Sequence, residues 1–190
     1  MIKSKQDLEY YLERDRIALK RSKRWYKDPI WKYEILLRKQ EFYANVDGIG
    51  HKILCKICGW KRKRLGQQCG GFSIAINSFG PGLSIAHFGS VVVNSTARIG
   101  KNCRIHEGVT IGATNGSDKA AIIGDNCFIG SGAKIIGNIT IGSDVAIGAN
   151  ACVVRSFAEN KITLGGVPAR KISNHDSRIN LCTELFNERE

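Results

Sequence analysis

From Val93 onward one aliphatic residue returns at multiples of six positions: Val93, Ile99, Ile105, Ile111, Ile123, Ile129, Ile135, Ile141, Ile147 and Val153. Glycine follows Ile99, Ile111, Ile123, Ile129, Ile141 and Ile147. Four residues after most of the aliphatics stands a small or medium residue, such as Ala97, Cys103, Val109, Cys127, Ala133 or Ala151. A helix would need a period of about 3.6 and would not carry so many glycines. Each hexapeptide instead predicts a short strand and a turn, three of them closing one triangular coil. The aliphatic side chain points inward and stacks on its equivalent in the next coil, about 4.8 Å away. Backbone groups then pair with the coils above and below, so only the two ends of the stack are open edges. In the stretch Ala113 to Ala121, ATNGSDKAA, Ser117 stands where an aliphatic is due. This polar segment is expected to leave the wall as a loop, the usual place for specificity on a rigid scaffold.

The chain before the repeat has a different pattern. LEYYLERDRIALKR (8–21) and PIWKYEILLRKQEFYANV (29–46) show helical apolar spacing, with Asp28-Pro29 as a helix start between them. Ile53 to Trp60 leads into the basic run Lys61-Arg62-Lys63-Arg64. The expected organisation is a basic α-helical region over 1–71, a repeat domain over 72–172 with its loop near 113–121, and a charged tail over 173–190.

Charge sharpens this division. Residues 1–71 carry 18 Lys/Arg against 8 Asp/Glu, whereas residues 72–190 carry 11 against 9. No apolar run reaches the roughly 18 residues of a membrane span, and the charged N-terminus lacks a secretory pattern. A cytoplasmic protein is expected, with contact at the inner membrane face through the basic helices. The basic region would meet an anionic membrane or a polyanionic glycan, and no nucleic acid is expected. Seven cysteines without framework spacing suit a reducing compartment. His51, Cys55, Cys58 and Cys69 are the one set worth testing as metal ligands, but the favoured reading is small buried or half-buried thiols. Cys103 and Cys127 fall at the small inward position of the repeat, where packing explains them.

The motifs GPGLSIAHFGSVVVN (80–94), IGKNCRIHEGVTIG (99–112), IGDNCFIGSGAKIIGNITIGSDVAIGANACVV (123–154) and GGVPARKI (165–172) resemble the hexapeptide-repeat acyltransferases, serine acetyltransferase-like branch. That branch includes bacterial enzymes that O-acetylate capsule and lipopolysaccharide sugars. The resemblance implies an all-β left-handed parallel β-helix after the α-helical N-terminal region. It also implies a homotrimer with sites between neighbouring prisms, and acetyl-coenzyme A as co-substrate with no metal. His87 falls where these enzymes carry a catalytic histidine, and an imidazole has the basicity to take a hydroxyl proton during attack on a thioester. His106 is a second catalytic candidate, read as one coil on and one position along from His87. Glu107 is read as orienting an imidazole or touching the acceptor. On the donor side the resemblance points to Ala113, Ser131 and Ala149 beside the pantetheine arm. It assigns Arg155, Arg170 and Lys171 to the phosphates, with a backbone N–H near Gly112 or Ala113 for the oxyanion.

Three departures bear on the acceptor. Ala86 precedes His87 where the serine enzymes have an aspartate, Phe72-Ser73-Ile74 lacks the aspartate expected one coil earlier, and the loop offers Asp118, Lys119 and Ala120 instead of a second histidine. A selective amino-acid site should supply partners for carboxylate and ammonium. The expected reaction is therefore acetyl transfer to a sugar hydroxyl of a surface polysaccharide (capsule or O-antigen). Asp118 and Lys119 would contact the acceptor. Serine O-acetylation is the alternative, and a noncatalytic glycan- or nucleic-acid-binding module is the second. A zinc lyase on this fold needs three histidines, and only His87 and His106 lie in the coils.

Overall fold

The computed structural model describes residues 1–21, 28–114 and 116–187. Three helices come first: α1 (Lys5–Ala18), α2 (Pro29–Asn45) and α3 (His51–Gln68). Ser4 caps α1 by accepting from Asp7 N, and Asp28 caps α2 by accepting from Ile30 N and Trp31 N ahead of a proline in the first turn. The Asp28-Pro29 signal therefore marks a real helix start.

Short strands follow, visiting three walls in strict rotation. The first wall is built from β1 (Phe72–Ile74), β3 (Val91–Val93), β6 (Thr110–Gly112), β9 (Lys134–Ile136) and β12 (Cys152–Val153). The second holds β4 (Arg98–Ile99), β7 (Ile122–Ile123) and β10 (Thr140–Ile141), with Phe79 and Phe157 bridging at its two ends. The third holds β2 (Ser84–Ile85), β5 (Arg104–Ile105), β8 (Phe128–Ile129), β11 (Ala146–Ile147), β13 (Thr163–Gly165) and β14 (Arg170–Ser173). All pairings are parallel except β13–β14, which folds back antiparallel at the C-terminal end.

Register explains the sequence period. Ile85, Ile105, Ile129, Ile147 and Leu164 stack in line on the third wall, and all five side chains are fully buried. Between Ile111 of the first wall and Ile123 of the second lie twelve positions rather than six, so the polar segment 113–121 holds one extra hexapeptide and Ser117 occupies no wall position. Phase survives because the insertion is one whole repeat. The corner between the second and third walls carries a polar ladder of left-handed residues. Asn102 donates to Asn126 at 2.8 Å, and Asn126 donates to Asp144 at 3.1 Å. Arg14 of α1 closes one end of it and Arg178 of the tail the other. The first coil has Gly82 at this corner, where φ is +86° and a Cβ would come within 2.5 Å of the Asn102 Oδ1.

The helices share one core with the coils through Trp31, Tyr33 and Leu37. Yet the face of α2 turned to the prism also buries Glu34, Arg38 and Glu41. These groups close the open edge of the first coil. Asp15 accepts from Gly82 N and Leu83 N at 2.8 Å, Glu34 from Ile85 N at 2.9 Å, and Glu41 from Asn77 N at 2.7 Å. Arg38 donates to the Phe79 and Gly80 carbonyls and pairs with Asp15 at 2.7 Å and Glu41 at 3.0 Å. The tail forms two 3-10 turns, Arg178–Asn180 and Thr183–Phe186; Leu185 and Cys182 pack against Ala18 of α1.

Candidate functional site

The strands of the third wall end at a corner that leads into the first wall, and this corner gathers the ionisable groups. Because Ile85 pairs with Ile105, Ile105 with Ile129 and Ile129 with Ile147, register aligns Glu107 with Ser131 and Ala149 and Ala86 with His106, while Gly89 of the first corner lies against the Glu107 Cβ. The expected offset of one position along for His106 is thus corrected: it lies one position short. The reason is a longer first corner. From Ile85 to Val93 there are eight positions, whereas the equivalent step from Ile105 to Ile111 takes six. The two extra residues carry the Ala86–Ser90 turn outward and swing His87 over the next coil.

There the two imidazoles meet edge to face, their centroids 5.1 Å apart, and the His106 ring also packs on Phe128 at 5.0 Å. One ligand-type atom from each of His87, His106 and Glu107 lies within 4.8 Å of the other two. Among the described residues this is the one group of three side chains able to hold a metal ion. Two imidazoles and a carboxylate form a borderline donor set. His51, Cys55, Cys58 and Cys69 form no such group: the His51 Nδ1 sits 2.6 Å from the Val46 carbonyl, with its ring against Phe42 and Tyr43.

Ser131 Oγ lies 3.4 Å from the His106 Nδ1 and also hydrogen-bonds the Glu107 carboxylate. Both the His106 Nε2 and the Glu107 Oε2 are buried with no hydrogen-bond partner among the described residues. Burial, then the nearby charges of Arg104 and His87, hold the His106 ring below the ordinary imidazole range. The Ser131 hydrogen bond, then that of its own backbone N–H, holds Glu107 below the usual glutamate range, so it stays ionised.

The remaining candidates divide among other places. Gly112, Ala113 and Arg155 lie at the far end of the first wall, where it turns toward the second, beside the loop bearing Asp118 and Lys119. Arg155 is exposed and stacks over Phe157, while the Asp118 carbonyl is taken by Thr96. Arg170 and Lys171 lie on β14, and Lys171 pairs with Glu159 at 2.5 Å. Within one chain, therefore, His87, His106 and Glu107 converge at this corner, Ser131 and Ala149 follow along it, Arg170 stands opposite Gly165 at its last coil, and Gly112, Ala113, Arg155, Asp118 and Lys119 lie at the other end of the first wall. Arg104 and Phe128, which set the surroundings of His106, were not among the sequence candidates. Their signal was the strand position just before each inward isoleucine. Cys103 and Cys127 are buried, and burial pushes the Cys127 thiol up to about 12, which suits packing rather than nucleophilic chemistry.

Residues 120–155 match the model of the bacterial transferase hexapeptide (six repeats). The serine acetyltransferase of Staphylococcus xylosus is 42% identical over 100 residues, covering 51% of this chain and 45% of that protein. In three dimensions a serine acetyltransferase from Brucella abortus strain S19 superposes with a TM-score of 0.68 at 26% identity, covering 91% of this chain and 72% of that one. A serine acetyltransferase in complex with CoA superposes with a TM-score of 0.56 at 26% identity, covering 76% and 55%.

The coils resemble the serine acetyltransferase-like branch of the hexapeptide-repeat acyltransferases. The chain spans about half the length of the curated relatives it matches.

These relatives overturn the expected surface-polysaccharide acceptor, since the matching proteins are serine acetyltransferases. The expectation rested on carboxylates missing at positions 73 and 86 and on a loop with Asp118, Lys119 and Ala120 in place of a second histidine. Linear spacing concealed that the Glu107 carboxylate comes within 4.8 Å of the His87 ring nitrogen.

Proposed function

We propose that this chain transfers the acetyl group of acetyl-coenzyme A to the hydroxyl of serine, with His87 as general base. The observation that carries this reading is the convergence of His87, His106 and Glu107 at the corner between the third and first walls, in a chain that is 42% identical to a serine acetyltransferase over 100 residues. His87 accepts the serine hydroxyl proton as the oxygen attacks the acetyl carbonyl, and the resulting imidazolium returns a proton to the departing coenzyme thiolate. His106, whose buried Nε2 has no hydrogen-bond partner among the described residues, is the second proton acceptor at the corner, and ionised Glu107 stabilises whichever ring is charged. The corner above Glu107 suits a slender donor, because it carries only the small side chains of Ser131 and Ala149.

Gly112, Ala113 and Arg155 enter this scheme through assembly. We infer a left-handed coil and a homotrimer, in which the far end of one first wall faces the His87 corner of a neighbour. In that arrangement Ala113, Ser131 and Ala149 line the pantetheine arm, a backbone N–H near Gly112 or Ala113 meets the oxyanion, and Arg155, Arg170 and Lys171 serve the phosphates. Asp118 and Lys119 are then loop groups for the amino-acid acceptor. The division of the chain at 71/72 and 172/173 belongs to the same proposal.

The test is mass spectrometry of serine incubated with acetyl-coenzyme A and the purified protein, alongside thiol release. O-acetylserine should form, and His87→Ala should lower the rate by about 10²–10⁴-fold without changing the melting temperature. A His87→Ala variant with wild-type turnover, or wild-type protein that forms no O-acetylserine, would remove the proposal. Light scattering tests the trimer.

A further inference from the structure

Helix α3 is not closed by the rest of the described molecule on its outer side. Ile53, Ile57 and Trp60 follow one another at spacings of four and three residues, so they form one stripe, and they are 65%, 42% and 57% exposed. Arg64 continues the stripe and lies over the Trp60 ring at 4.9 Å. Beside it, Leu36 and Tyr43 of α2 and Leu54 and Leu65 of α3 line a groove of about 590 Å³ whose charged lining residues are Lys32, Lys39, Lys61 and Arg64, with no carboxylate. Along its whole length α3 carries six Lys/Arg and no Asp or Glu. Exposed large apolar side chains in a row are uncommon on a surface that meets only water. The inner face of α3 is already committed, with Arg62 bonded to Gln40, Tyr33 and the Ile74 carbonyl.

We propose that the outer face of α3 docks on an anionic lipid bilayer, lying in the plane of the headgroups. Charge selects this occupant. A second copy of the chain would bring an equally basic helix with no carboxylate against the first, which like-charge repulsion opposes. An anionic bilayer supplies the complementary sign over the whole helix, and its interface accepts Ile53, Ile57 and Trp60 below the headgroup phosphates. At about 1.5 Å rise per residue the helix lays about 27 Å along the surface. The lysines and arginines flanking the stripe reach the phosphates while their stems stay apolar. No helix of the described residues is long and apolar enough to cross a membrane, so contact of this kind is peripheral.

The experiment is co-sedimentation of the full chain with vesicles of phosphatidylcholine alone or with phosphatidylglycerol, at low and high salt, with sedimentation velocity of the free protein in parallel. Binding should require phosphatidylglycerol and weaken with salt. It should fall at least about tenfold in Ile53→Ser/Ile57→Ser and in Lys61→Glu/Arg64→Glu, with melting temperatures held because these side chains are exposed. Three outcomes overturn the proposal: equal binding to both vesicles, binding to phosphatidylglycerol that survives Ile53→Ser/Ile57→Ser, or self-association of the free protein that the same variants abolish. Acetyl transfer in solution is read separately and does not depend on the result.

Discussion

In the middle coils each strand finds its hydrogen-bond partners in the coil before and the coil after, and the space between the walls is filled by one aliphatic residue repeated. At the first coil there is no coil before. Helices α1 and α2 supply the missing partners there, and they do it with Asp15, Tyr33, Glu34, Arg38 and Glu41 rather than with strand backbone. The contrast shows what a repeat cannot provide: it satisfies its neighbours but never its own end. An edge left open would expose N–H and C=O groups to pairing with other chains, and buried without partners those groups would each cost free energy. The cap must therefore be polar in its interior, and the charges must balance one another there.

Arg38→Met breaks the comparison most directly. The guanidinium is fully buried, and its loss strands Asp15 and Glu41 together with the Phe79 and Gly80 carbonyls. Breaking a buried pair from one side costs about 3–5 kcal/mol, so denaturant unfolding should show a loss in that range. Hydrogen exchange should also quicken at the Gly82 and Leu83 amides that Asp15 holds. A loss below about 1 kcal/mol would mean that the cap does not depend on its charges.

The aliphatic ladder should be far more forgiving. Ile129→Val removes one methylene from a fully buried position on the third wall, with identical neighbours at Ile105 and Ile147. Such a change costs about 0.5–1.5 kcal/mol. Denaturation should report that loss with an unchanged slope, and exchange at the capped edge should stay as slow as in wild type. If it quickened at Gly82 and Leu83, the cap and the ladder would not be separable units.

The same contrast explains what the sequence revealed. The repeat was legible because every coil solves one packing problem with one residue type, so Ile105, Ile129 and Ile147 announce each other. The helices were legible as helices, from spacing and from Asp28-Pro29, but not as a cap. Glu34, Arg38 and Glu41 fall on the buried face of α2, where charged residues ordinarily mark the solvent face. At the site, His87 and His106 could be named from motif and residue type. Their relation could not, because the two extra residues in the Ala86–Ser90 turn shift the count, so that Ala86 rather than His87 aligns with His106. The acceptor expectation weighed absences at positions 73 and 86 and in the loop, and the spacing gave no sign that the Glu107 carboxylate lies within 4.8 Å of the His87 ring nitrogen. The tail's packing on α1 had no periodic signal at all.

Glu34→Gln is the smallest change and the finest probe of the cap. Its Oε1 accepts from Ile85 N, whereas its Oε2 is buried with no hydrogen-bond partner among the described residues. Burial first, then the charge of Asp15, raises the Glu34 carboxyl well above the ordinary glutamate range. A carboxyl raised in the folded state keeps a proton that the unfolded chain releases. Its contribution to stability is therefore complete below the unfolded value, near 4.5, and declines as pH rises from there toward the folded value. Glutamine keeps the acceptor for Ile85 and cannot ionise. The variant should match wild type near pH 4 and gain on it steadily through neutral pH, as followed by denaturant unfolding across that range. A variant that instead loses ground as pH rises would show Glu34 to be ionised in the fold, and Arg38 to be balancing three buried carboxylates rather than two.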